Sequence, residues 1–177
     1  MNSLTKGPSI LLFNRLVLLS RPSLSLSLST SSTLSNVEKK VIALGLQVPE
    51  IPPSPKGSYT QFVRSGNIVY LAGHLPQTPD KVLLEGRLGE NMTVEQGQVA
   101  AKYAALQMLA TLKAATGNLD KVKRVIKIVG FVNSTNDFQS QHLVLNGASN
   151  FIGEVFGLDI GRHARSGISL FIVLFSS

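Results

Sequence analysis

Cysteine is absent from the 177 residues, which excludes disulfides, thiolate nucleophiles and zinc–sulfur sites. Charged residues are scarce at 15%, against 44% apolar, a balance that supports one folded core of ordinary size rather than disorder throughout. No apolar run approaches the roughly 20 residues needed to cross a bilayer, and Asn14-Arg15 separates Ile10-Leu11-Leu12-Phe13 from Leu16-Val17-Leu18-Leu19. A membrane partner is therefore not expected. Residues 1–36 contain no Asp or Glu, and residues 166–177 contain no charge at all.

The acid-free start holds Lys6, Arg15, Arg21 and the serine-rich run Ser23 to Ser32, so residues 1–36 read as an organellar transit peptide. Mitochondrion and plastid fit equally, and a tail without an address stays open. Setting those three basic residues aside leaves fourteen against ten acidic ones, too mild an excess to call for nucleic acid.

Residues 37–177 read as an α+β domain. A short helix is expected over Val37–Leu46, followed by an extended connector through Pro49, Pro52, Pro53 and Pro55. Residues 59–64 and 68–72 form a hairpin about Ser65-Gly66-Asn67, and a further short strand is expected near Val82-Leu83-Leu84. Thr93-Val94-Glu95-Gln96 is a capping box opening a helix that ends at Gly117, with Val99, Tyr103, Leu106 and Ala110 as its buried stripe. A strand over Val122–Asn133, a helix over Phe138–Phe156 and a strand over His163–Phe175 complete the order. Gly147 and Gly153 lie inside the second long helix, where another element is expected to approach the backbone. This order implies a mixed sheet with both helices packed on one face.

Phosphate-binding loops, a dinucleotide fingerprint, a nucleophile elbow and His-Glu-x-x-His are all missing. His74, His142 and His163 fall in different elements, so no metal is expected. Arg165 follows a Gly-containing turn and opens a strand, where its fork of donors suits a carboxylate; pairing with Asp159 or Glu154 at the surface stays open.

The body, over about residues 37–167, resembles the RidA/YjgF family of imine deaminases, also labelled endoribonuclease L-PSP or chorismate-mutase-like. The resemblance rests on Gly57-Ser58-Tyr59, Ser65-Gly66-Asn67, Ala72-Gly73-His74, Val129-Gly130-Phe131-Val132-Asn133, Asn146-Gly147-Ala148-Ser149 and His163-Ala164-Arg165-Ser166 in that order. It implies a homotrimer with clefts between subunits, no cofactor, and hydrolysis of a 2-imino or enamine acid to a 2-oxo acid and ammonia. Arg165 takes the place of the carboxylate-holding arginine, and Tyr59 and Asn146 fall where family members line the cleft. His74 stands where a glutamine is common.

The chain departs from the pattern after Gly167. The usual proline turn and returning strand with an acidic residue are replaced by Ile168 to Ser177, so one strand and one catalytic group are expected to be missing. An alternative or incomplete gene product would explain this, and the uncharged end would leave an aggregation-prone edge. Two other functions stay open: a non-catalytic module for small carboxylates or a partner protein, and a ribonuclease. The last is disfavoured by the lack of aromatic platforms among basic residues.

Overall fold

The computed structural model describes residues 34–170. Helix α1 (Asn36–Ala43) opens on a capping box in which Ser35 Oγ accepts from the Glu38 N–H at 3.1 Å and Glu38 Oε2 accepts from the Ser35 N–H at 2.9 Å. It ends three residues before the expected Leu46, with Gly45 left-handed at φ 73°. Strands β1 (Phe62–Ser65) and β2 (Ile68–Leu71) pair antiparallel about Gly66-Asn67. Around Val82 to Leu84 the expected strand reduces to one bridge, Gln77 to Leu83.

Helix α2 (Val94–Thr116) begins and ends as expected: Thr93 and Gln96 close a reciprocal cap, and Gly117 stops the helix at φ 74°. Its buried face differs from the expected stripe. Leu106 and Ala110 are buried, but Val99 is 49% exposed and Tyr103 only partly covered. Gly97, Ala100, Ala105 and Leu109 are buried instead, because the small residues let the following helices approach closely.

A single 3-10 turn at Leu119–Lys121 follows, so β3 spans Lys127–Asn133 rather than starting at Val122. Val122 and Val125 still pack on the core, in extended chain outside the strand. The expected second long helix is broken into α3 (Gln141–Val144) and α4 (Asn146–Phe156), with Leu145 between them. A single-turn helix α5 (Leu158–Gly161) leads into β4 (Ala164–Leu170), which pairs parallel with β3. The fold class is α+β, as expected; among the described residues the strands form two separate pairs, one antiparallel and one parallel. The leader and the chain beyond Leu170, including the expected loss of a final strand, lie outside the described residues.

Two clusters hold these elements. The larger joins Val37 and Val41 of α1, Leu106 and Leu109 of α2, Ile128 of β3 and Phe151, Ile152 and Val155 of α4. Burying a side chain the size of Phe151 contributes roughly 2–3 kcal/mol. The smaller cluster, Leu88, Val132, Val144 and Leu145, lies under the join of α3 and α4. On the opposite face of the parallel pair Val129, Ile168 and Phe131 are left uncovered among the described residues, the last 65% exposed.

Candidate functional site

Arg165 is aimed by the sheet register. In parallel pairing, opposite residues point to one side, and Arg165 lies opposite Ile128, whose side chain is buried toward the helices. Two residues on, Gly130 and Gly167 face each other across the strands. A Cβ at Gly130 would overlap Leu145 Cδ2, and one at Gly167 would lie 3.0 Å from Leu145 Cδ1. The glycine pair therefore leaves a notch that Leu145 fills, which seats the start of α4 above the strands. From the other side, a Cβ at Gly147 would overlap the Gln98 carbonyl oxygen of α2. The first turn of α4 is thus clamped between β3–β4 and α2, and it carries Asn146 and Ser149 to Arg165.

The guanidinium makes three hydrogen bonds. Nη1 donates to Asn146 Oδ1 at 2.9 Å and to Ser149 Oγ at 3.0 Å, and Nη2 donates to the His142 carbonyl at 2.9 Å. All three acceptors are neutral. Among the described residues no carboxylate lies within 4.0 Å of Arg165, so the surface pairing with Asp159 or Glu154 does not form. A guanidinium has five N–H donors, which leaves Nε–H and one Nη2–H without a protein acceptor among the described residues. A half-buried cation held by dipoles alone, with donors to spare, attracts an anion. Beside it is an open depression of about 690 Å³ whose lining includes Ser149, Gly153, Glu154, Arg162, His163 and Arg165. His163 closes the cluster: Nδ1 meets the Gly161 carbonyl at 2.6 Å and Nε2 meets Ser149 Oγ at 3.0 Å.

Residues 38–174 match the model of the family described as "YjgF/chorismate_mutase-like, putative endoribonuclease". The chain belongs to the RidA/YjgF family. Protein TCP17 of Trypanosoma cruzi is 42% identical over 127 residues, 72% of this chain and 79% of that one. Protein HMF1 of Saccharomyces cerevisiae is 26% identical over 91 residues, 51% of this chain and 64% of its own length. Among solved structures, the Agrobacterium tumefaciens protein Atu1372, described as of unknown function, superposes with a TM-score of 0.68 at 41% identity, covering 76% of this chain and 82% of that one. A protein of Shewanella oneidensis described as a "putative endoribonuclease" gives 0.71 at 31% identity, covering 76% and 87%.

Within one chain of this RidA/YjgF member, the structure brings Asn146 to Arg165 and leaves Tyr59 and His74 elsewhere. Tyr59 is half-exposed, and its hydroxyl accepts from the Lys56 N–H at 3.2 Å. His74 Nδ1 donates to the Ala72 carbonyl and Nε2 accepts from the Thr111 hydroxyl, both at 2.8 Å, tying the end of β2 to α2. Burial pushes the His74 pKa down, and the Ala72 carbonyl only partly opposes this. Sequence reasoning missed Ser149 and His163 as members of the Arg165 cluster. Their spacing carried a signal: Asn146 and Ser149 are three apart on a helix, and His163 and Arg165 alternate along extended chain, so each pair shares a face. Glu154, weighed from sequence only as an ion-pair partner, instead lines the depression.

Proposed function

We propose that the domain grips a small organic carboxylate through Arg165 and hydrolyses 2-imino or enamine acids to 2-oxo acids and ammonia. The observation that carries this reading is the uncompensated guanidinium, held by Asn146, Ser149 and the His142 carbonyl with two donors left over. A carboxylate there would accept charge-assisted hydrogen bonds and hold the adjacent imine carbon over the depression. Water then adds to the C=N carbon, the nitrogen takes a proton, and the resulting carbinolamine releases ammonia.

Ammonia release from short-chain 2-imino acids tests the proposal. Arg165→Ala is expected to lower kcat/KM by roughly 100-fold or more, the scale of one lost charge-assisted anchor. Equal rates in both proteins, or no rate above buffer, would sink the hydrolase. Thermal stabilisation by a 2-oxo acid without turnover would instead mark a non-catalytic carboxylate-binding module.

Assembly as a homotrimer is part of the same proposal. The uncovered Val129, Phe131 and Ile168 face supports it, as an apolar sheet face that a second copy would bury. In such an assembly Tyr59 would reach a cleft from a neighbouring subunit. Residues 1–36 would direct the protein to mitochondrion or plastid, and their fusion to a fluorescent protein reads the destination. No helix among the described residues is long and apolar enough to cross a membrane.

A further inference from the structure

We infer that Ser149 and His163 form a proton relay serving the substrate held at Arg165, with Ser149 touching the attacking water and His163 accepting the proton behind it. The inference rests on the hydrolytic reading above and supplies the general base that this reading leaves unnamed.

The hydrogen-bond directions follow from what each group can do. The Gly161 carbonyl can only accept, so His163 Nδ1 carries the ring proton at 2.6 Å, and in the neutral ring Nε2 has a lone pair. Ser149 must then donate its hydroxyl proton to Nε2 across 3.0 Å. Arg165 can only donate, so its Nη1–H takes one lone pair of the same Ser149 oxygen at 3.0 Å. With its carbon, its proton and one lone pair all directed, the serine oxygen has one lone pair left, and its direction is fixed. Ser149, His163 and Arg165 all line the open depression. A water donating to that lone pair would sit beside a carboxylate-bearing substrate on Arg165.

The relay balances. As water oxygen bonds to the imine carbon, one water proton passes to Ser149 Oγ, the Ser149 proton passes to His163 Nε2, and the C=N pair moves to nitrogen. The imidazolium returns its proton through Ser149 to that nitrogen, giving a neutral carbinolamine. A second passage takes the carbinolamine O–H proton and delivers it to the amine as the C–N bond breaks. Imine and water become 2-oxo acid and ammonia, and the relay ends as it began. The charged groups on the elements around His163 are Glu154 of α4, Asp159 of α5, Arg162, Arg165 of β4, and Arg124, whose Nη1 donates to the Asp159 carbonyl.

His163→Asn and Ser149→Ala test the relay in the full chain. The Asn amide can keep the bond to the Gly161 carbonyl while removing the base, so folding is protected in at least one variant. Two readouts are compared: the affinity for a short-chain 2-oxo acid by calorimetry, and ammonia release between pH 5 and 9. The expected result is a kcat roughly 100-fold lower in both variants, with the 2-oxo acid affinity of His163→Asn within about threefold of wild type. The acid-side fall in the wild-type rate should disappear in His163→Asn. Unchanged kcat and pH profile in a folded variant would overturn the relay and leave the hydrolase standing. Parallel loss of kcat and of affinity in His163→Asn would also overturn it, by reducing His163 to a tether. A wild-type protein that binds the 2-oxo acid but releases no ammonia would overturn relay and hydrolase together, while Arg165→Ala would still abolish binding.

Discussion

His74 and His163 make the same pair of bonds in two regions of the molecule. Each ring uses Nδ1 on the carbonyl two residues before it, Ala72 or Gly161, and Nε2 on a helix hydroxyl, Thr111 or Ser149. What differs is beyond the hydroxyl. Thr111 is 0% exposed, so its oxygen ends against packed core and the bond can do nothing but hold β2 to α2. Ser149 is half-buried, bonds Arg165 and opens on the depression. An identical local motif is thus a clamp in one place and a candidate reactive group in the other, and surroundings rather than residue type decide which.

The comparison breaks most severely if the scaffold of the His163 region is moved. Gly147→Ala places a methyl on the Gln98 carbonyl, where neither backbone can yield, and should cost about 3 kcal/mol or more, read as a lowered urea midpoint. Gly153→Ala in the same helix meets only Leu158 Cδ2 at 3.6 Å and should stabilise by up to about 1 kcal/mol. Equal stabilisation by both would show that helix propensity, not contact, governs α4.

A finer cut exchanges one hydroxyl at a time. Thr111→Val keeps shape but leaves His74 Nε2 unpaired in the interior, an expected loss of about 1–2 kcal/mol with no change in carboxylate binding. Ser149→Ala, at a wetter position, should cost less than 1 kcal/mol, about half the Thr111 effect or below. Denaturation midpoints in which Ser149→Ala proves the costlier would invert the distinction between clamp and site.

Acidity provides the smallest effect. His74 in the folded chain binds a proton less readily than its ordinary value of 6.5 implies, so the unfolded chain takes up more protons as pH falls. Stability present above pH 6.5 should therefore decline as pH drops through the lowered folded value, and His74→Gln should flatten that limb. Glu38 adds a separate loss at more acid pH. Burial pushes its carboxyl up, but the Lys113 ammonium at 2.7 Å and the Ser35 bonds outweigh this and hold it below its ordinary 4.5. Its contribution is thus present above pH 4.5 and lost as pH falls through the lower folded value.

Local chemistry made much of the fold legible. Thr93, Gln96 and Gly117 bound α2 to the residue, since caps depend on side chains a few positions apart. Leu145, Ala148, Ile152 and Val155 recur at helical spacing in the sequence, and all four are buried. The break at Leu145 was not legible, because it answers to a notch made by Gly130 and Gly167, far away in the chain. Val99 came out exposed for a related reason: α2 turns Gly97, Ala100 and Ala105, with Leu106 and Leu109, toward the elements it meets, and Val99 lies off that face.

The site divides along the same line. Arg165 and Asn146 could be named from sequence, because the family pattern attaches meaning to their order. That Arg165 meets three neutral acceptors, that Glu154 lines the depression instead of pairing with it, and that His163 holds Ser149 all depend on register and on where α4 is seated. Residue identities thus settled the α+β class, the family and which cation to watch. Packing between segments distant in the chain settled which polar groups surround that cation, since hydrogen bonds form between atoms that the fold, not the order of residues, brings within 3 Å.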